Sequence, residues 1–192
     1  MRRLLAALVL LLAGLSPAFA QQAVHVPTYY GSVINHTTAT GATDVVCLEG
    51  GAGKVSKLAG FSISGSAASP VVISITILRR TTLNTGTSFT VASAAGSPTH
   101  QPATSTMKVW SANPTALGTA DPAGSVFRRI RWDIDTKVSV PVGVGLLAAA
   151  AANPYTTQPE ARGATQAICM NYNGVAQVTT MDISMVWTET EN

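Results

Sequence analysis

Charge is scarce in this sequence. Of 192 residues, 12 are basic and 9 acidic, so 11% are charged, about half the usual share for a soluble protein. With 46% hydrophobic residues, the chain lacks the low hydrophobicity and high charge that mark disorder. Two cysteines and three histidines are too few for a zinc ribbon or a multi-metal site, and without a CxxC pair a redox-active dithiol is not expected. No amphipathic stretch of useful helical length occurs. The 16 glycines and 10 prolines exclude an all-helical bundle and show no collagen period.

What is present begins with a leader. Arg2 and Arg3 precede an apolar run over residues 4–15, and Ala18-Phe19-Ala20 forms a small-x-small step before Gln21. This is the pattern of a secretory signal peptide over residues 1–20, too short for a comfortable membrane span. No later segment is expected to cross a bilayer, because residues 138–152 are broken by Pro141, Gly143 and Gly145. Residues 21–192 then form one domain by length. Without Arg2 and Arg3, ten basic side chains face nine acidic ones. The remaining chain is near neutral, and nucleic-acid binding is not expected. A secreted or periplasmic chain folds in an oxidising space, so Cys47 and Cys169, 122 positions apart, are expected to pair.

The rest reads as short β segments between small, polar and Gly/Pro-rich turns. In residues 71–78, Val71, Ile73, Ile75 and Ile77 fall on one face, with Ser74 and Thr76 opposite. Residues 181–187 repeat the pattern, with Met181, Ile183, Met185 and Trp187 on one face. Weaker strand patterns cover 45–48, 55–64, 88–91, 107–111, 126–134 and 138–147. The step Asn173-Gly174 is a hairpin-turn pair, predicting a hairpin between 165–172 and 175–179. The alanine run 148–152 is too short to hold a helix alone. Eight to ten antiparallel strands predict an all-β sandwich or jelly roll.

Candidate chemistry is thin. Gly50-Gly51-Ala52-Gly53-Lys54 has a phosphate-loop flavour, but Leu48 and Val55 stand where that motif needs Gly and Ser/Thr. A turn between strands is the expectation. His25, His36 and His100 lie at no ligand spacing and are expected to be exposed. Asp133 and Asp135 share a strand face with Arg129 and Arg131, a self-neutral stripe that does not suggest paired-carboxylate glycosidase chemistry. Arg128, Arg129 and Arg131 beside Trp132 are too short a basic run to read as a nucleic-acid patch. Asn35-His36-Thr37 matches a glycosylation sequon, relevant only in a host with that machinery. Trp187 belongs in the core. Trp110, before Asn113-Pro114, is expected to be the exposed aromatic and a possible ligand contact for a polysaccharide.

The segments VVISITILRR (71–80), KVWSANPTALG (108–118) and ICMNYNGVAQVTTMDISMVWTE (168–189) resemble, in order over residues 45–190, a group of small all-β virion structural proteins of tailed phages and prophages. The resemblance implies a head- or tail-associated structural role and carries over no catalytic residue. The leader sets this chain apart, since virion proteins assemble in the cytoplasm. A secreted relative of that fold reconciles the two. The expectation is a secreted, non-enzymatic structural or binding protein, without cofactor or metal, that associates with itself or with other protein subunits. A carbohydrate-binding or carbohydrate-active sandwich using Trp110 and loop carboxylates is the alternative.

Overall fold

The computed structural model describes residues 26–69, 71–121, 126–134 and 158–192, without the side chains of Arg128 and Trp132. These residues carry eleven strands: β1 Thr28–Thr37, β2 Ala42–Glu49, β3 Lys54–Ala67, β4 Val72–Arg80, β5 Phe89–Val91, β6 Ser93–Ala95, β7 Thr106–Val109, β8 Val126–Asp133, β9 Glu160–Arg162, β10 Ala167–Val175 and β11 Thr179–Glu191. They form two antiparallel sheets, ordered β6-β1-β11-β3-β9 and β5-β7-β2-β10-β4-β8. The sheets pack face to face as a β-sandwich, the all-β class expected. The leader, His25, Asp135, the strand expected at 138–147 and the alanine run lie outside the described residues.

Alternation builds the core. Leu58, Phe61, Ile63, Ile183, Met185 and Trp187 enter from the first sheet. Leu48, Ile73, Ile75, Met107, Ile168 and Met170 enter from the second. Period-two burial with β-branched and aromatic residues is what a half-buried sheet selects. The longest pairing joins β3 and β11 and runs from Thr179↔Ala67 to Glu191↔Lys54.

Two features of the fold escape the sequence reading. β10 and β11 do not form a hairpin. β10 pairs with β2 and β4, whereas β11 pairs with β1 and β3, so the chain crosses from one sheet to the other. Asn173 and Gly174 do adopt left-handed backbone, at φ 54° and 71°. Their geometry creates an irregularity inside β10 instead of a hairpin tip. Ile168 and Met170 from one strand and Ile183 and Met185 from the other face the same core. That places the two strands opposite each other, not side by side. The second is β1, which carries no clean alternation in the sequence. Asn35 at φ 53° forms a bulge between Val33 and His36, and the inward phase moves to His36.

The glycine-rich segment behaves as an inter-strand turn. Gly53 takes φ 68°, Lys54 N–H donates to the Gly51 carbonyl at 3.1 Å, and β3 follows directly. No helix N-terminus is formed there for a phosphate.

Candidate functional site

The outer face of the second sheet carries the most elaborate polar arrangement. β2 places Asp44 there, fully buried. Arg80, at the end of β4, donates to it twice, Nε to Oδ2 at 2.9 Å and Nη2 to Oδ1 at 2.9 Å. This is a bidentate fork on a carboxylate. Asn84 Nδ2 adds a bond to Oδ2 at 2.8 Å, and Asn171 Nδ2 donates to Oδ1. Arg80 Nη1 continues to the Gly118 carbonyl at 3.0 Å, and Gly118 N–H donates to Asn84 Oδ1 at 2.7 Å. The network therefore binds the excursion between β4 and β8 onto the sheet. A Cβ on Gly118 would lie 1.9 Å from the Thr82 carbonyl oxygen, so only glycine allows this close return.

Beneath that excursion lies a second, small apolar cluster. Cys47 and Cys169 face each other across β2 and β10 and are joined by a disulfide. Leu78, Trp110, Ala167 and Leu83 pack around them. Both half-cystines are 1% exposed. The expected pairing is correct, and it is a cross-strand staple under a loop. Asp44 and the two sulfurs lie close enough to suggest a metal site. The sulfurs are bonded to each other, however, and Asp44 already accepts from Arg80, Asn84 and Asn171.

Trp110 corrects an expectation. It is 3% exposed and belongs to this cluster, so it is not a solvent-facing ligand contact. The reason is tertiary: the disulfide, Leu78, Ala167 and Leu83, all distant in sequence, surround an indole that its neighbours Ser111 and Asn113-Pro114 make look exposed.

His36 is a second correction. The β1 bulge turns it inward, to 5% exposure. Its Nε2 lies 3.0 Å from the Trp110 carbonyl, linking the first sheet to the end of β7, and its ring sits 6.0 Å from Phe89. Burial lowers its pKa below the ordinary histidine value, against a smaller opposing effect of the Trp110 carbonyl. Of the other histidines, His100 lies at a pocket wall and is partly exposed.

That pocket, about 370 Å³, is formed by the end of the first sheet and the segment 99–104. Tyr29, Lys54, His100, Thr104, Glu189 and Glu191 contribute to its lining. Glu189 is its electrostatic centre. Oε2 accepts from Thr104 N–H at 3.1 Å and Thr104 Oγ1 at 2.9 Å, and Oε1 accepts from Ser105 N–H at 2.8 Å and Trp187 Nε1 at 3.3 Å. Burial pushes this carboxyl's pKa up, but the amides and hydroxyls of Ser105 and Thr104 outweigh burial and hold it below the ordinary value. An anion held by four donors is a clamp on the 99–104 segment, and it carries no proton to give at neutral pH. Lys54 at the rim pairs with Glu191. Tyr29 OH donates to the Gln101 carbonyl at 2.9 Å, with its own pKa raised by burial and by the Glu189 charge.

The remaining sequence candidates are scattered. Arg129, Arg131 and Asp133 are exposed on β8, with Arg79 over the Phe127 ring at 6.0 Å. The Asn35 sequon sits on the β1 bulge, where Asn35 N–H donates to Asp182 Oδ1 at 2.8 Å. Trp187 is fully buried as expected. Sequence reasoning missed Asp44, Arg80 and Glu189. The one available signal was a charged residue within two positions of the end of each apolar strand pattern, and residue type alone does not say which partners meet it. No family model, curated protein or solved structure matches the chain. Among the described residues, no helix is long and apolar enough to cross a membrane.

Proposed function

We propose that this is a secreted, non-enzymatic β-sandwich that acts by contact, as a structural or binding subunit associating with copies of itself or with other proteins. The observation that carries the reading is the state of the buried carboxylates. Asp44 and Glu189 are each held by several internal donors, and both fix loops onto sheets. Such groups position a surface and do not present a reactive atom. The staple between Cys47 and Cys169 fits a chain that works outside the cytoplasm.

The outer face of β1, β3 and β11 supports the choice of contact surface. Ser32, Ser184 and Ser62 form one row across the three strands, and Asp182 and Ser64 sit side by side in the next. Lys57 and Asp182 are the only charged side chains on that face of these strands, and Tyr30 and Ile34 stand exposed, the latter at 73%. Small hydroxyl side chains cost little entropy and little desolvation when another surface covers them. The likeness of residues 45–190 to phage virion proteins is in keeping with descent from such a module.

The deciding experiment is light scattering of the purified chain from residue 21, over a wide concentration range, beside Ser184→Arg. Assembly that the arginine abolishes is the expected result. A monomer at every concentration, together with saturable binding to a polysaccharide, would overturn the reading in favour of a sugar module.

A further inference from the structure

We infer that Asn173–Gly174 is a site of spontaneous covalent modification, at which the Asn173 carboxamide becomes aspartate and isoaspartate. A clamp onto β4 sets the rate. This is the single Asn-Gly step in the sequence. In the reaction the Gly174 amide nitrogen attacks Asn173 Cγ and a C–N bond closes a five-membered succinimide. The side-chain nitrogen leaves as ammonia, taking the amide proton. Water then opens the ring at either carbonyl, giving the normal or the rearranged acid. Asparagine is among the thermally labile residues, and a following glycine offers no side chain to obstruct the attack.

The structure places this step where ring closure has room. Both residues are exposed, and nothing lies within 4 Å of a Cβ built on Gly174. The β10–β2 ladder is irregular between Asn171 and Val175, and the β10–β4 ladder ends at Asn171↔Thr76. The backbone that must rearrange is therefore the least regular part of its strand.

The same geometry supplies a brake. Asn173 Nδ2 donates to the Ser74 carbonyl and to Thr76 Oγ1, the latter at 3.0 Å. Asn173 N–H also donates to Asn171 Oδ1 at 2.7 Å. For Cγ to meet the Gly174 nitrogen, the carboxamide must leave β4. The product cannot restore the bond to Ser74, although Thr76 Oγ1, which donates to Asn173 Oδ1 at 3.4 Å, can still donate to the acid. A carboxylate has no donor for the Ser74 carbonyl, so two acceptors would face each other. Asn171, which positions Asn173, is bonded to Asp44. Modification thus unfastens the end of β10 beside the buried ion pair.

The test is peptide mapping of the folded chain held at mildly alkaline pH and physiological temperature, with fragmentation that separates isoaspartate from aspartate. Wild type, Thr76→Ala, Thr76→Ser and urea-unfolded wild type are compared. Residue 173 is expected to convert faster than every other asparagine in the folded chain. Thr76→Ala should speed it several-fold, Thr76→Ser should keep the wild-type rate, and unfolding should speed it at least as much as Thr76→Ala. The inference is overturned if residue 173 converts no faster than the other asparagines. It is overturned equally if folded and unfolded wild type convert at one rate, a comparison that holds even where Thr76→Ala fails to fold.

Discussion

Replacing Asp44 with asparagine tests whether the buried ion pair holds the long excursion to the sheet. The Asp44 side chain is 0% and the Arg80 side chain 8% exposed. The substitution keeps the shape but leaves a guanidinium buried without its counter-charge, and it turns an NH2 toward donors on Arg80, Asn84 or Asn171. Removing one partner of a buried pair costs about 3–5 kcal/mol. With a urea slope of about 2 kcal/mol/M, the unfolding midpoint should fall by roughly 1.5–2.5 M. Against a total stability of about 5–15 kcal/mol, the variant should still fold. The double variant Asp44→Leu, Arg80→Met removes both charges and should recover part of the loss, since an apolar pair is often neutral or better, but Asn84 Nδ2, Asn171 Nδ2 and the Gly118 carbonyl then lack their partners. Equilibrium urea unfolding followed by circular dichroism measures both. An Asp44→Asn midpoint within about 0.3 M of wild type, corresponding to less than about 0.6 kcal/mol at that slope, would refute the reasoning.

Three further outcomes are expected. His36 has a folded pKa below its unfolded value of 6.5, so the unfolded state takes up the proton first. Its stabilising contribution is complete above pH 6.5 and is lost as pH falls below that value. Urea midpoints measured between pH 7.5 and 5.5 should therefore decline for wild type and decline less for His36→Gln. Replacing both half-cystines by alanine opens a loop of 122 positions. A loss of about 2–5 kcal/mol is expected by thermal or urea unfolding, and less than about 1 would mean that the staple restrains little. Gly118→Ala should cost about 2–3 kcal/mol, because its Cβ meets a backbone carbonyl that no side-chain rotation can clear. Hydrogen exchange should show the lost protection concentrated in 81–121.

The strands that could be read from the sequence are those whose alternation is strict over several residues. β4 and β11 place Ile73, Ile75 and Ile77 and Met181, Ile183 and Met185 inward, in phase with the pattern. β1 was illegible because Gly31 contributes no side chain and the Asn35 bulge shifts the phase before His36. β9, at three residues, is too short to carry a period. Asn173-Gly174 announces a left-handed turn correctly, yet local turn chemistry does not choose between returning in one sheet and crossing to the other. Trp110 and His36 failed for a common reason. Burial by residues distant in sequence, the disulfide with Leu78, Ala167 and Leu83 for one and the sheet-to-sheet contact for the other, leaves no trace in neighbouring residues. The pairing of Cys47 with Cys169 was legible because two cysteines allow only one bridge.

The way the lateral borders are closed limits how copies could associate. β5 and β6 follow one another across Ala92, and each ends a different sheet, with three residues apiece. β9 ends the first sheet on its far side with three more. Strands this short offer too few unpaired amides for a second chain to extend the ladder. Among the described residues β8 is the long border of the second sheet, and it presents the exposed guanidinium-bearing Arg129 and Arg131. Covering these charges and the exposed Asp133 on the same face would cost desolvation if a second strand docked there. Among the described residues, growth into fibrils by adding strands is thereby discouraged, and broad-face stacking is the route these borders favour.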